Sequence, residues 1–223
     1  MTNLKLLIPA AGLGTRLGID YPKTLISLKK TSILIRIFKI FEKYDNFPSV
    51  IVSPKSKDQI KGHVIKSKKK AEFLTQKEPK GMGDAVLKFS KSIYFNDTEN
   101  IILVWGDIPL LQNKTIKKII KNHISNDNDF TFPTIKVKNP YTLVIRDKNN
   151  KILEVKESRN NKNIENIEGE REIGFFIFKK KILKFLKKDF NGKFNSVTKE
   201  HSFLYIIKYL IKYNYRVEGL QIA

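Results

Sequence analysis

Four short apolar runs, Leu4 to Ile8, Ser49 to Ser53, Ala71 to Thr75 and Ile101 to Trp105, are separated by longer stretches of helical period. Runs this short and this rich in β-branched and aromatic residues suit strands buried on both faces. Their alternation with amphipathic segments predicts strands feeding crossover helices in a mixed, mainly parallel α/β sheet flanked by helices. Thr31 or Ser32 can cap a helix that carries Leu34, Ile37, Phe38 and Phe41 on one face, and Gly83 to Ser92 and Lys114 to Ile124 supply two more. After residue 128 the pattern changes to Phe130 to Val137, Thr142 to Asp147, Ile152 to Lys156 and Gly174 to Phe178, with a turn at Asn149-Asn150. These predict antiparallel additions to the sheet. Ser158 to Arg171 is polar and reads as a flexible excursion, a candidate lid. Ser202 to Tyr213 places Phe203, Ile206, Ile207, Leu210 and Ile211 at the spacing of a core-facing helix. With no internal repeat and no linker, the 223 residues read as a single domain.

Composition narrows the function classes. There is no cysteine, which excludes disulfide frameworks and cysteine-ligated metals. Apolar residues at 41% exclude a disordered chain. Lys and Arg number 43 against 22 Asp and Glu, a net charge of +21 that would suit a polyanion through counterion release. However, 37 of those cations are Lys and 6 are Arg, beside 30 Ile and 18 Asn, the residues with the most A/T-rich codons. Nucleotide bias accounts for the excess. The densest run, Lys66 to Lys70, lacks the interleaved aromatics of a single-strand groove and reads as a surface loop, which disfavours nucleic acid as a partner. No apolar run is long enough for a membrane span, and Leu4 to Ile8 contains Lys5 and stops at Pro9, unlike a signal peptide. A cytoplasmic location is expected; the oligomeric state is not legible.

The first strand runs into Pro9-Ala-Ala-Gly-Leu-Gly-Thr-Arg-Leu-Gly18, then Asp20-Tyr21-Pro22-Lys23. Ala10, Ala11, Gly12 and Gly14 let the main chain approach a triphosphate, and successive N–H groups in such a turn form an anion-binding concavity. The glycine spacing is not the dinucleotide fingerprint, and no Gly-Lys-Ser/Thr follows as a P-loop requires. Arg16 and Lys23 add two cations that can offset charge as pyrophosphate departs; the alternative is a surface pair on a lysine-rich chain. Further on, Ile101 to Val104 ends in Trp105-Gly106-Asp107-Ile108-Pro109. Ligands of open α/β sheets bind at that edge. Asp107 there can coordinate magnesium, or else cap the next helix or turn.

Taken together, the Ala-Ala-Gly-x-Gly-Thr-Arg loop, Pro22-Lys23, Gln76 with Gly81-Met82-Gly83-Asp84-Ala85, and Trp105-Gly106-Asp107-x-Pro109 resemble, in order and spacing, the sugar-phosphate nucleotidyltransferases. They are most similar to the uridyltransferase half of bifunctional N-acetylglucosamine-1-phosphate uridyltransferases. Asn139-Pro140-Tyr141, Arg146-Asp147, Glu157, Gly174 and Glu200 also look like family positions. The resemblance implies the Rossmann-like fold of nucleotide-diphospho-sugar transferases. It also implies Mg2+-dependent attack of a sugar 1-phosphate, or similar phosphate monoester, on a nucleoside triphosphate, with UTP and an N-acetylhexosamine favoured. On this resemblance Ala10, Ala11, Gly12, Gly14 and Thr15 hold the triphosphate, Arg16 and Lys23 are catalytic, and Asp107 holds the metal. Gln76, Gly81 and Met82 meet the base; Trp105, Gly106, Tyr141, Thr142, Glu157, Glu172 and Gly174 meet the acceptor. Residues 1–128 then form a nucleotide-binding part and 129–223 an acceptor-binding part. His63, His123 and His201 are expected to be ordinary.

There are departures. Met82 and Asp84 replace residues of the family's Gly-Thr-Gly-His-Ala, Pro140-Tyr141-Thr142-Leu143 replaces its Gly-Tyr-Gly-Arg, and Glu172 replaces an Asn. An added carboxylate would repel an acidic sugar and suit a hydroxyl-rich or cationic acceptor. The sequence ends before the family's second metal-binding Asn or Asp, so Asp107, phosphates and water, or a substitute residue, are expected to hold the metal unless the chain is shortened. A second expectation is a catalytically weak domain that binds a nucleotide sugar or a partner chain; a third, resting on charge alone, is nucleic-acid binding.

Overall fold

A computed structural model describes residues 3–12, 18–157 and 167–222. The first half of the chain contains β1 (Leu4–Pro9), a ribbon of β2 (Ser27–Leu28) and β3 (Thr31–Ser32), α1 (Ile33–Phe41), β4 (Ser49–Val52), α2 (Lys57–Lys66), β5 (Glu72–Thr75), α3 (Met82–Leu87), β6 (Asn100–Val104) and α4 (Asn113–Ser125). The second contains β7 (Phe130–Lys138), β8 (Thr142–Arg146), β9 (Ile152–Glu157), β10 (Glu168–Glu172), β11 (Phe175–Lys179), α5 (Leu183–Lys187), α6 (Ile206–Lys212) and β12 (Val217–Gln221).

β1 lies inside the main sheet, with parallel partners β6 and β4, and β5 beyond β4. On the other side β11 pairs antiparallel with β6 and with β7, and β7 also takes β10 antiparallel and β12 parallel. Period-two alternation divides the strand residues between two cores. Leu6, Ile8, Val50, Val52, Ile102 and Val104 pack with α1, α2 and α4. Leu7, Ile51, Ile101, Leu103, Phe130, Phe132, Phe176 and Phe178 pack with α3, α5 and α6. The result is a sheet covered on both faces, as the short apolar runs require. Ser32 caps α1 by accepting from the Ile35 N–H at 3.3 Å, and the four apolar residues expected on that helix are all buried.

The structure corrects several expectations. Gly83 to Ser92 is not one helix: α3 ends at Leu87 and a 3-10 turn covers Lys88–Lys91. The helix expected from Ser202 begins at Ile206. β8 and β9 pair with each other in a separate ribbon instead of extending the main sheet. The polar stretch expected to be an excursion includes β10, whose Glu168 to Glu172 pair with Lys138 to Thr134; residues 158–166 lie outside the described residues. β10 escapes a hydropathy reading because four of its five residues are charged.

Between β10 and β11 the strand kinks. From Glu172 to Ile177 it advances five positions while its partner changes by three, from Thr134 to Thr131. Gly174 sits in this bulge at φ +75°, where a side chain would be strained and would meet Ile108 and Trp105. Glu172, 2% exposed, accepts from the Gly174 N–H and, at 3.1 Å, from the Thr142 hydroxyl. Burial pushes its carboxyl above the ordinary value.

His123 pins α4 to the sheet. Its ring, 1% exposed, has Nε2 3.0 Å from Asn100 Oδ1 and Nδ1 2.9 Å from Thr131 Oγ1, so the neutral imidazole satisfies both neighbours. Burial, reinforced by Lys179, lowers its pKa from 6.5 to about 4. As pH falls the unfolded chain takes the proton first. This stability is therefore full above about pH 6.5 and declines toward pH 4, by up to about 3 kcal/mol. Urea denaturation at pH 7 and 4.5 is expected to show the decline in the wild type and a flatter dependence in His123→Gln.

Candidate active site

β1 and β6 deliver their C-terminal ends side by side. The Ala10 N–H donates to Ile51 O at 2.7 Å and the Gly106 N–H to Pro9 O at 3.1 Å, which continues the sheet into the two loops. A Cβ at residue 106 would stand 2.6 Å from Pro9 O, so only glycine permits that approach. Segments about ninety positions apart thereby share one cleft of about 400 Å³, lined on this side by Pro9 to Gly12, Lys23 and Trp105 to Asp107. Among the described residues a Cβ at Gly12 would meet no atom within 4 Å, which leaves room for its backbone to approach a ligand.

Lys23 opens a 3-10 turn, Lys23–Leu25, preceded by Pro22 and closed by hydrogen bonds from Leu25 N to Pro22 O and Ile26 N to Lys23 O. Buried Thr24 anchors the turn and leaves the half-buried Lys23 side chain at the cleft. Asp107 is exposed and caps no helix, since α4 starts at Asn113 after Gln112. Among the described residues neither Lys23 nor Asp107 has a salt-bridge partner. Gly14, Thr15 and Arg16 lie outside the described residues.

Across the cleft stand Gln76, Gly81 and Met82. Gly81, at φ +98°, approaches the His201 backbone so closely that a Cβ would lie 2.6 Å from its oxygen. The His201 N–H donates to Lys80 O at 2.6 Å and the Gly83 N–H to His201 O at 2.9 Å, binding the start of α3 to the later chain. Gln76 Nε2 donates to Gly81 O at 3.1 Å and to Asp84 Oδ2 at 2.8 Å, and Asp84 Oδ1 accepts from Lys88 Nζ at 2.9 Å.

Residues 6–170 match the family of MobA-like NTP transferase domains. The chain belongs to this family. Bifunctional protein GlmU of Clostridioides difficile strain 630 is 32% identical over 186 residues, 82% of this chain and 39% of that protein, so the chain spans about two fifths of that relative's length. A UDP-glucose pyrophosphorylase solved with UDP-glucose superposes with TM-score 0.77 at 18% identity, covering 99% of this chain and 90% of that one. The inositol-1-phosphate CTP transferase of T. maritima does so with TM-score 0.74 at 14% identity, covering 99% and 85%. These likenesses place the transferase domain in the Rossmann-like nucleotide-diphospho-sugar transferase fold.

The remaining wall of the transferase cleft contains Tyr141, Thr142 and Glu157, together with a segment that sequence reasoning largely missed, Asn195, Thr198 and Glu200 to Leu204. Asn195 organises it: Oδ1 accepts from the N–H groups of Val197 at 2.9 Å and Thr198 at 3.0 Å, while Nδ2 donates to Glu157 Oε2 at 2.8 Å. Ser202 Oγ donates to the other Glu157 oxygen at 2.8 Å. The density of Asn, Ser and Thr between Phe194 and Ser202 was the available signal. Glu172 and Gly174, expected to meet the acceptor, do not line the cleft: Glu172 reaches it through Thr142, and Gly174 packs behind Trp105. His201, expected to be ordinary, does line it, and burial lowers its pKa. Thr24 Oγ1, Trp105 Nε1 and His201 Nε2, all on lining residues, are buried without a hydrogen-bond partner among the described residues. Each such atom carries a desolvation cost of about 1–3 kcal/mol.

Two glycine substitutions separate architecture from ligand contact. Gly106→Ala is expected to force the β1 and β6 loops apart and lower stability by about 1–3 kcal/mol. Gly12→Ala is expected to change stability by less than about 0.5 kcal/mol. Urea denaturation of both variants checks the contrast.

Proposed function

We propose that this chain transfers a nucleotidyl group from a nucleoside triphosphate to a sugar 1-phosphate or similar phosphate monoester, releasing pyrophosphate in a Mg2+-dependent reaction. The observation that carries this reading is the meeting of the Pro9–Gly12 loop, Lys23 and Asp107 in one cleft of an NTP transferase domain. Residues 1–128 then supply most nucleotide contacts and 129–223 most acceptor contacts.

In the reaction an acceptor phosphate oxygen bonds to the α-phosphorus while the bond to the bridging oxygen of pyrophosphate breaks, its electron pair leaving with pyrophosphate. A phosphate monoester is already anionic near neutral pH, so no strong general base is required. The backbone of Ala10 to Gly12 holds the triphosphate, and Lys23, with Arg16 outside the described residues, offsets charge that accumulates on the leaving group. Asp107 suits magnesium: it is an exposed carboxylate at the cleft with no salt-bridge partner among the described residues. Magnesium commonly takes one or two carboxylates and completes its shell with phosphates and water. When bound there it would neutralise phosphate charge. The work of the chain is alignment.

The lining supports an acceptor without an extra carboxylate. On a chain of net charge +21, the described cleft residues include Asp107, Glu157 and Glu200 but a single Lys, Lys23. Glu157 already accepts two neutral donors and keeps lone pairs for hydroxyl or amine protons.

Pyrophosphate release, measured with each nucleoside triphosphate, Mg2+ and a panel of phosphate monoesters including phosphocholine, tests the reading. Turnover is expected, with glucose 1-phosphate preferred over glucuronic acid 1-phosphate. Asp107→Ala is expected to abolish it, and Lys23→Ala to lower it at least tenfold with stability nearly unchanged. Nucleotide binding without turnover would instead mark a binding module.

A further inference from the structure

Composition accounts for how many lysines this chain carries, not for where they gather. Between Lys179 and Lys193 stand seven Lys and one acid, Asp189, which is engaged by Lys193 at 3.7 Å. The 3-10 turn Lys180–Ile182 runs into α5, and spacings of three and four residues set Lys181, Lys184 and Lys188 on one face. That face lies over aromatic rings, most of them supplied by later parts of the chain. Lys181 Nζ stands 5.1 Å from the centre of the Tyr215 ring, and Lys184 Nζ 5.5 Å from Tyr215 and 5.7 Å from Phe185. Lys188 Nζ stands 5.5 Å from Tyr213, 5.6 Å from Phe190 and 5.7 Å from Phe185. Phe190 in turn stacks on Tyr209, with ring centres 4.0 Å apart. Cations and rings therefore interleave along a row, the pattern that the Lys66 to Lys70 run lacks. Lys181 is shared with Asp129 at 2.7 Å. Lys184, Lys187 and Lys188 are exposed and have no salt-bridge partner among the described residues.

We propose that this row is an interaction surface for a single-stranded nucleic acid, with phosphates on Lys184, Lys187 and Lys188 and a base on Tyr213. Ammonium groups set in line along one face match a linear polyanion, whose counterions they release on binding. The rings hold the lysines in place before the ligand arrives, so less side-chain entropy is lost when they meet phosphate. Tyr213, 49% exposed, is the ring open to a base, since Phe185 is buried and Phe190 and Tyr215 are half-buried. An anionic membrane fits this surface less well. Leu183, Phe185 and Leu186, the apolar residues of α5, are all turned into the core, which leaves the helix no apolar face to enter a bilayer. None of the residues of the row lines the cleft, so this activity stands apart from nucleotidyl transfer and does not rest on it.

Fluorescence anisotropy of labelled oligo(U), read with Mg2+ and mixed nucleoside triphosphates present to fill the cleft, tests this. Lys184→Gln/Lys188→Gln is compared with Lys66→Gln/Lys70→Gln, which removes the same charge from the densest lysine run of the sequence. The first pair is expected to weaken binding at least about fivefold and the second less than about twofold. Equal losses would mark diffuse attraction to a basic chain and overturn the proposal, as would absence of wild-type binding at physiological salt. Tyr213→Leu is expected to weaken oligo(U) at least about threefold while leaving the affinity for inorganic polyphosphate, which has no bases, unchanged. Equal weakening of both ligands would overturn the assignment to nucleic acid. Binding to phosphatidylserine vesicles but not to oligo(U) would assign the surface to a membrane and overturn it as well. If a variant does not fold, ultraviolet cross-linking of the wild type to oligo(U) decides: adducts at Tyr213 support the proposal, and adducts confined to other residues overturn it.

Discussion

The hydrogen bond from the Gly106 N–H to Pro9 O is the contact on which the site depends. It forms because β1 and β6 are parallel neighbours, in register from Leu4 with Asn100 to Leu7 with Leu103, and therefore end at the same edge of the sheet. In a parallel sheet the strand ends are set by crossover connections, which leave the edge free for a ligand. The small side chains of Ala10 and Ala11 and the bare Gly12 keep that edge open, while β6 brings Asp107 to it. Neither segment is a site by itself.

Most strands of the main sheet and α1 were legible because burial on both faces forces runs of apolar residues, and an amphipathic helix forces its period on the sequence; β2, β3, β10 and β12 were not. What escaped was stabilised in other ways. α2 buries little beyond Ile60 and Val64, so its apolar face is narrow. β10 is held by its ladder with β7 and by Arg146, whose guanidinium bridges Glu170 and Gly219 O. A charge pattern is a poor reporter of such a strand, because burial of charge depends on a partner far along the chain. The site divides in the same manner. Motif residues at strand ends could be placed from order and spacing, whereas the Asn195 to Leu204 wall could not. Its shape comes from one Asn side chain satisfying two backbone N–H groups and reaching Glu157, a geometry that no local periodicity encodes.

The departures from the family pattern gain different meanings once their surroundings are known. Glu172 carries a carboxylate into the second half of the sequence, but the bulge at Gly174 takes it below the surface, where it closes the turn and holds the Thr142 hydroxyl. Its contact with the cleft runs through Thr142, whereas Glu157 and Glu200 line the cleft directly. Asp84 also lies behind the lining, yet it touches a residue that does not lie behind it.

That difference sets the leverage of each. A hydroxyl such as that of Thr142 can rotate, and when it donates to Glu172 its oxygen can still accept from a ligand. An amide has no such freedom: turning Gln76 exchanges an acceptor for two donors at the same point in space. A residue behind the lining therefore acts weakly through a hydroxyl and strongly through an amide. A half-buried carboxylate such as Asp84, held ionised by Lys88, is suited to that second role because it accepts and never donates. The orientation of the Gln76 amide is thus held by an ion pair on its far side.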